Sequence, residues 1–191
     1  MTNRIRLIAV AFATLALTGG FASTSHAQAA GETIVATASV KGPSGTQTAP
    51  VTIVVTRFTT DQERTTVGDA LKAGGTSAVV QRLTAMEDVG YIEVRGRRSP
   101  LKYAYARSVG AGRLITVVSP SPIVHLGSAG ADAKPKAGFD LALALLDLPS
   151  SGSGTGELAP AAKVKLNDAG AIETQDYGAD VVRLTDVHVK K

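Results

Sequence analysis

Near the end of the chain, in TDVHV, an aspartate and a histidine stand two residues apart: Asp186 and His188. On an extended strand, residues i and i+2 point to the same side, so the carboxylate and the imidazole would share a face. A carboxylate raises the pKa of a neighbouring imidazole and orients its ring, which suits a general base or a pH-sensitive contact. The same pair also reads as the exposed face of a terminal strand, beside the Lys190-Lys191 tail, with no third partner in view. Other chemistries lack their residues. The chain has three histidines, no cysteine and no tryptophan, and only His125 and His188 lie beyond residue 28. A zinc site of the His/Cys kind is short of ligands, and a Cys–His nucleophile is excluded. No G-x-S-x-G element is present to hold a Ser–His–Asp triad. GSGTG (152–156) is glycine-rich enough for a phosphate, but no Lys-Ser/Thr follows and no helix pattern starts there, so it reads as a turn. No metal and no cofactor is expected.

Two further groups carry binding chemistry. RGRRSPLK (95–102) concentrates Arg95, Arg97, Arg98 and Lys102. Such a run can meet an anion such as a lipid phosphate at an envelope surface, or form a solvated hairpin end whose charges keep a sheet edge from aggregating. Tyr103 and Tyr105 follow directly and, with Leu101, are expected on one strand face. They would line a cavity for a lipophilic small molecule or fill the core. Nucleic acid is not an expected partner, because the basic run is short and isolated.

The elements that must position these residues change period along the chain. Residues 33–40 and 51–58 alternate Val, Ile and Thr with polar residues and read as strands joined by the polar KGPSGTQTAP (41–50). RFTTDQERTTVGDALKAGG (57–75) then packs acid, base and hydroxyl side chains together. Thr60 can cap the first turn of a helix while Glu63 reaches back to the Thr60 amide, which is the capping box. Asp61 and Glu63 also sit at the positive end of the helix dipole. Val67, Ala70 and Leu71 form an apolar stripe, and Gly74-Gly75 can end the helix. Thr76 or Ser77 is then expected to start a second helix carrying Val79, Leu83 and Met86, giving a helical pair over about residues 60–87.

Strand patterns return at 91–95 and at a hairpin of 101–107 and 113–119 turning at VGAG (109–112). SPSP (119–122) breaks the ladder. Residues 127–138 read as a loop, and 139–148, FDLALALLDL, as a strand, with a buried helix as the alternative. Strands at 158–166, 171–175 and 180–189 complete a meander turning at NDAG (167–170). About nine strands and one helical pair make a strand-dominated α+β protein. An antiparallel curled sheet or open barrel-like meander, with the inserted helices over one face or end, is the expected architecture.

Residues 1–27 read as a signal peptide, removed on export. Arg4 and Arg6 make the positive start, 7–17 is an apolar run too short to span a bilayer, and Ser25-His26-Ala27 supplies the small residues at the cleavage site. Residues 28–191 then form a single β-rich domain, periplasmic or extracellular, without a transmembrane segment. Of the 20 lysines and arginines, Arg4 and Arg6 fall in the leader, leaving 18 against 16 carboxylates and a net charge of +2. That small excess points to no strongly anionic partner. With no cysteine, packing must hold the fold without disulfides.

Phe58-Thr59-Thr60-Asp61-Gln62-Glu63-Arg64, Val89-Gly90-Tyr91-Ile92 and Tyr103-Ala104-Tyr105-Ala106-Arg107 occur in that order. They are followed by Gly154-Thr155-Gly156-Glu157-Leu158, Ala162-Lys163-Val164, Tyr177 and Val182-Arg183-Leu184. In this succession the chain resembles a group of uncharacterised secreted bacterial proteins. The resemblance implies an exported address and this order of elements, and it brings no catalytic residue. It departs at Phe58, where such proteins carry Trp, and at Ser121, where they carry Asp-Arg before the proline. The expected function is a non-enzymatic binding or envelope-interaction domain. Its partner would be a lipophilic small molecule inside the sheet or an anionic envelope surface at 95–102. A carboxylate/His-dependent hydrolase and a structural or assembly component of the envelope are the alternatives.

Overall fold

The computed structural model describes residues 30–42, 45–123, 136–168 and 172–190. The leader, His125 and parts of the turns at 127–138 and 167–170 lie outside the described residues. The elements run β1 (Ala30–Gly42), β2 (Gly45–Arg57), α1 (Asp61–Thr84), β3 (Gly90–Val94), β4 (Arg97–Leu101) and β5 (Tyr103–Val109). They continue with β6 (Gly112–Ser119), β7 (Leu141–Leu148), β8 (Gly154–Leu166), β9 (Ile172–Tyr177) and β10 (Val182–Val189). All pairings are antiparallel, in the order β4-β3-β2-β1-β10-β8-β7-β6-β5, with β9 beside the second half of β8. Residues 139–148 hold a strand, not a helix. β1 and β2 run through most of what the sequence offers as a connection, with Val40 opposite Gln47 and Thr37 opposite Pro50. β8 likewise begins inside GSGTG.

The first and last strands of this order, β4 and β5, are consecutive in the chain, with one bent residue, Lys102, between them. The sheet therefore curls until its two edges meet along 97–109. The first half of that segment pairs with β3 and the second half with β6. A bent strand that passes from one part of a sheet to another makes a corner. Thr59, in the β2–α1 connection, continues the ladder past β3. Its N–H donates to the Ala104 carbonyl at 2.7 Å, and its buried hydroxyl accepts the Ala104 N–H at 2.9 Å. Gly90, which starts β3, makes the close approach that this junction needs. A Cβ there would stand 1.9 Å from the Val54 carbonyl oxygen.

Curling gives the sheet two cores. Inside lie Ile34, Val51, Ile53, Ile92, Leu101, Ile115, Leu146 and Leu184 in one contact cluster, with Ala36, Ala38, Ala49, Ala104, Ala142 and Ala144 between them. Small side chains are what a narrow curl can hold at interior packing density. Outside, α1 lays Val67, Leu71, Val79 and Leu83 on Tyr103, Val118, Leu141, Leu143 and Ala162. β7 is buried on both faces, which is why LALALLDL lacks the alternation of a half-solvated strand.

The helical pair is corrected to a single kinked element. Gly74 (φ −149°, ψ 17°) and Gly75 (φ 63°, ψ −154°) leave helical geometry, but the helix continues through Thr84. Gly75 occupies a region essentially restricted to glycine. Thr76 does not cap a second helix. Its hydroxyl accepts the Val164 N–H of β8 at 3.1 Å, pinning the kink to the sheet. The face shared by Leu101, Tyr103 and Tyr105 is also corrected. The bend at Lys102 leaves Leu101 in the inner core and turns Tyr103 and Tyr105 outward under α1.

Thr59→Val keeps the shape and removes the acceptor, leaving the Ala104 N–H buried and unpaired. The expected outcome is a loss of about 1–3 kcal/mol in urea unfolding with an unchanged slope. A stability equal to that of the parent protein would mean that the Thr59 hydroxyl does not hold the corner.

Candidate functional site

The most densely polar stretch of the sequence resolves into a cap. The Thr60 hydroxyl accepts the Glu63 N–H at 3.2 Å and Glu63 Oε2 accepts the Thr60 N–H at 2.8 Å. Arg57, from the end of β2, donates Nη1 and Nη2 to the two Glu63 oxygens at 2.9 Å each. This bidentate bond and the Thr60 donors hold the Glu63 carboxyl well down, at about 2. These groups are saturated by one another and hold the helix to β2.

The Asp186–His188 pair does not form as the strand period predicts. Leu184 faces Gly156 and Val187 faces Gly154, so Thr185 and Asp186 together oppose one residue in a bulge. Asp186 takes a left-handed conformation there (φ 52°), which aspartate tolerates better than most residues. Both side chains are exposed, and the imidazole Nδ1 lies 2.7 Å from the main-chain carbonyl of Asp186. The ring is oriented by backbone.

Two of the four charges of the basic run are neutralised within the protein. Arg98 donates to Glu93 at 2.6 Å and stacks over the Tyr91 ring at 4.4 Å. Lys102 is bound by Asp88 at 2.8 Å and by the Met86 carbonyl at 2.7 Å, just past the negative end of α1. Arg95 and Gly96, both at positive φ, turn the β3–β4 hairpin. Arg95 reaches Gln47 at 3.4 Å, and Arg97 is exposed at the tip. Tyr103 is buried in the outer core, where burial pushes its hydroxyl pKa up, and Arg64 lies 4.8 Å over the Tyr105 ring. The structure thus scatters the residues that the sequence groups.

A different set is brought together by strand order. Residues Thr48, Ser39, Arg183, Glu157, Leu145, Thr116 and Tyr105 are successive register partners across β2, β1, β10, β8, β7, β6 and β5. Their neighbours Val40, Leu184, Leu146 and Ala104 belong to the inner core, so by alternation this row stands on the convex face. α1 covers the Tyr105 end and leaves the Arg183 region bare. Two clefts open there. One, of 620 Å³, is lined by Ser39, Val40, Lys41, Thr46, Asp180, Val181 and Arg183. The other, of 330 Å³, is lined by Leu114, Leu145, Asp147, Thr155, Gly156, Glu157 and Arg183. Arg183 belongs to both. It stands opposite Glu157 in the ladder, yet among the described residues no ion pair holds Arg183, Glu157, Lys41 or Asp147. A third cleft, between α1 and the end of β8, contains charges that pair near it, Arg64 with Asp61 and Lys72 with Asp69.

Among the described residues no group of three or more His, Cys, Asp or Glu could hold a metal ion, and no helix is long and apolar enough to cross a membrane. No family model, no curated protein and no solved structure matches the chain. Sequence reasoning missed Ser39, Lys41, Asp147, Glu157 and Arg183 because they lie on four strands far apart in the chain, β1, β7, β8 and β10. The signal within each stretch was no more than a polar residue at an outward position.

Glu63's depressed pKa has a pH consequence of definite sign. The carboxyl is bound more tightly ionised than protonated, so its stabilisation is complete above the ordinary value of 4.5 and is lost as pH falls toward about 2. Glu63→Gln is therefore expected to be about 1–2 kcal/mol less stable than the parent at pH 7, with the difference closing on acidification. A gap independent of pH would show that the ion pair does not carry the effect.

Proposed function

We propose that this protein is an exported binding domain that takes an anionic ligand on the convex face, in the cleft between Lys41 and Arg183. The observation that carries this reading is Arg183. It stands between Ser39 and Glu157 in the ladder, free of any ion pair among the described residues, and forms part of the wall of both clefts. An arginine presents a planar fork of donors that fits a carboxylate or phosphate, and Lys41 adds a point charge across the cleft, so the wall is net positive against the single carboxylate of Asp180. The Ser39 and Thr46 hydroxyls give further hydrogen-bonding groups at the wall. The exported address rests on the leader-like residues 1–27 and on the resemblance to secreted proteins.

A ligand inside the sheet is the weaker version, because the inward side chains Ile34, Ile53, Ile115, Leu146 and Leu184 are already fully buried in one cluster. The 95–102 surface is also the weaker version, since Glu93 and Asp88 neutralise Arg98 and Lys102. The hydrolase alternative has an imidazole aimed at a main-chain carbonyl and exposed to water. No observation favours a structural or assembly role over binding.

Inorganic phosphate and N-acetyl-trialanine, titrated against the isotope-labelled protein, should shift the amides of Ser39, Lys41 and Arg183, with an effect that weakens as salt rises. Arg183→Gln should weaken binding about tenfold, the equivalent of one lost charge-assisted hydrogen bond. Shifts scattered over the surface, or an affinity untouched by that substitution, would refute the anion cleft.

A further inference from the structure

The two clefts that share Arg183 differ in net charge. On the β1 side Lys41 and Arg183 stand against the single carboxylate of Asp180, and on the β7–β8 side Arg183 stands against both Asp147 and Glu157. Leu114 and Leu145 add apolar surface between the two carboxylates and β6. Glu157 and Arg183 are direct ladder partners whose side chains do not pair, so the charges of the two clefts are not cancelled across their boundary. Positive and negative ends arranged in this way across a continuous surface complement a ligand that is itself dipolar.

The separation of the ends sets the ligand's length. One cleft is centred on the β1–β10 pair and the other on the β8–β7 pair, two strand spacings away, and the register places Lys41 and Asp147 on opposite sides of the row, so the centres are about 12 Å apart along a diagonal. An extended peptide advances about 3.3 Å per residue, so about three to four residues bridge that distance. We infer that the ligand is a short zwitterionic peptide, with its carboxylate held by Lys41 and Arg183 and its ammonium held by Asp147 and Glu157. This inference rests on the anion cleft proposed above and adds the second charge, the length and the orientation. The peptide runs diagonally over the strands, with a small side chain on Leu114 and Leu145 and its amides beside the Ser39 and Thr155 hydroxyls.

Calorimetry with three forms of trialanine separates the two claims. The free peptide carries both charges, the N-acetylated form only the carboxylate, and the C-amidated form only the ammonium. With the unaltered protein the free peptide should bind about tenfold more tightly than either blocked form, as one charge-assisted contact predicts. The exposed double variant D147N/E157Q should bring the ratio of free to acetylated affinity down to about one, within the scatter of such contacts. Equal binding of free and acetylated peptide by the unaltered protein overturns the zwitterion and leaves the anion cleft standing. Failure of the acetylated form to bind at all, together with no effect of Arg183→Gln on the free form, overturns both.

Discussion

A pair of hydrogen bonds between Thr59 and Ala104 decides what kind of sheet this chain can make. Thr59 both gives to and receives from Ala104, using its amide and its hydroxyl. The exchange occurs beside the bend at Lys102, where the chain leaves its β3 partner and joins β6. Without a partner on that side, the Ala104 amide would be a buried donor at a raw sheet edge, which costs free energy and invites pairing with another chain. With it, the two ends of the sheet meet. The inner core and the placement of α1 both follow from that closure. The capping box that begins one residue after Thr59 ties the start of α1 to the same corner, and Arg57 anchors the cap to β2.

Once the sheet is curled, its two faces take different duties. The inner face is crowded, with alanines set among branched side chains. At one mouth the Glu32–Arg113 ion pair joins β1 to β6 across the interior. On the outer face α1 protects one half and leaves the other half to polar residues. The bare half is where neighbouring strands contribute alternate outward residues to a common row, and a row of that kind can gather charges that no single segment of sequence contains.

That contrast explains what could be read in advance. The start of α1 was legible because a capping box is closed within four residues, Thr60 to Glu63. The strand character and the 103–119 hairpin were legible for the same local reason. What failed depended on partners far along the chain. Thr76 looks like a helix cap, but its hydroxyl serves an amide 88 residues away. Asp186 and His188 look like a shared face, but a bulge set by the register with β8 and β1 redirects them. RRSPL reads as a solvated hairpin end, but it is the edge strand β4, with Pro100 opposite Tyr91. The candidate site was not legible at all. Ser39, Arg183 and Glu157 become neighbours only if β1 lies beside β10 and β10 beside β8, and nothing local to these residues states that order.

The same pairing of β1 with β10 has a bearing on the order of events during synthesis. Ile34 faces Val189, so the earliest described strand and the last one are neighbours. As the chain emerges from its amino end, β1, β2, β3 and β4 can assemble locally, but the far side of β1 must wait for β10, after all the other strands have been made. Contacts of such long sequence separation are slow to form because the intervening chain must first be ordered. For that interval β1 offers an open hydrogen-bonding edge with Ile34 and Val40 beneath it. The edge of β1 is therefore most exposed to wrong partners just before β10 is released.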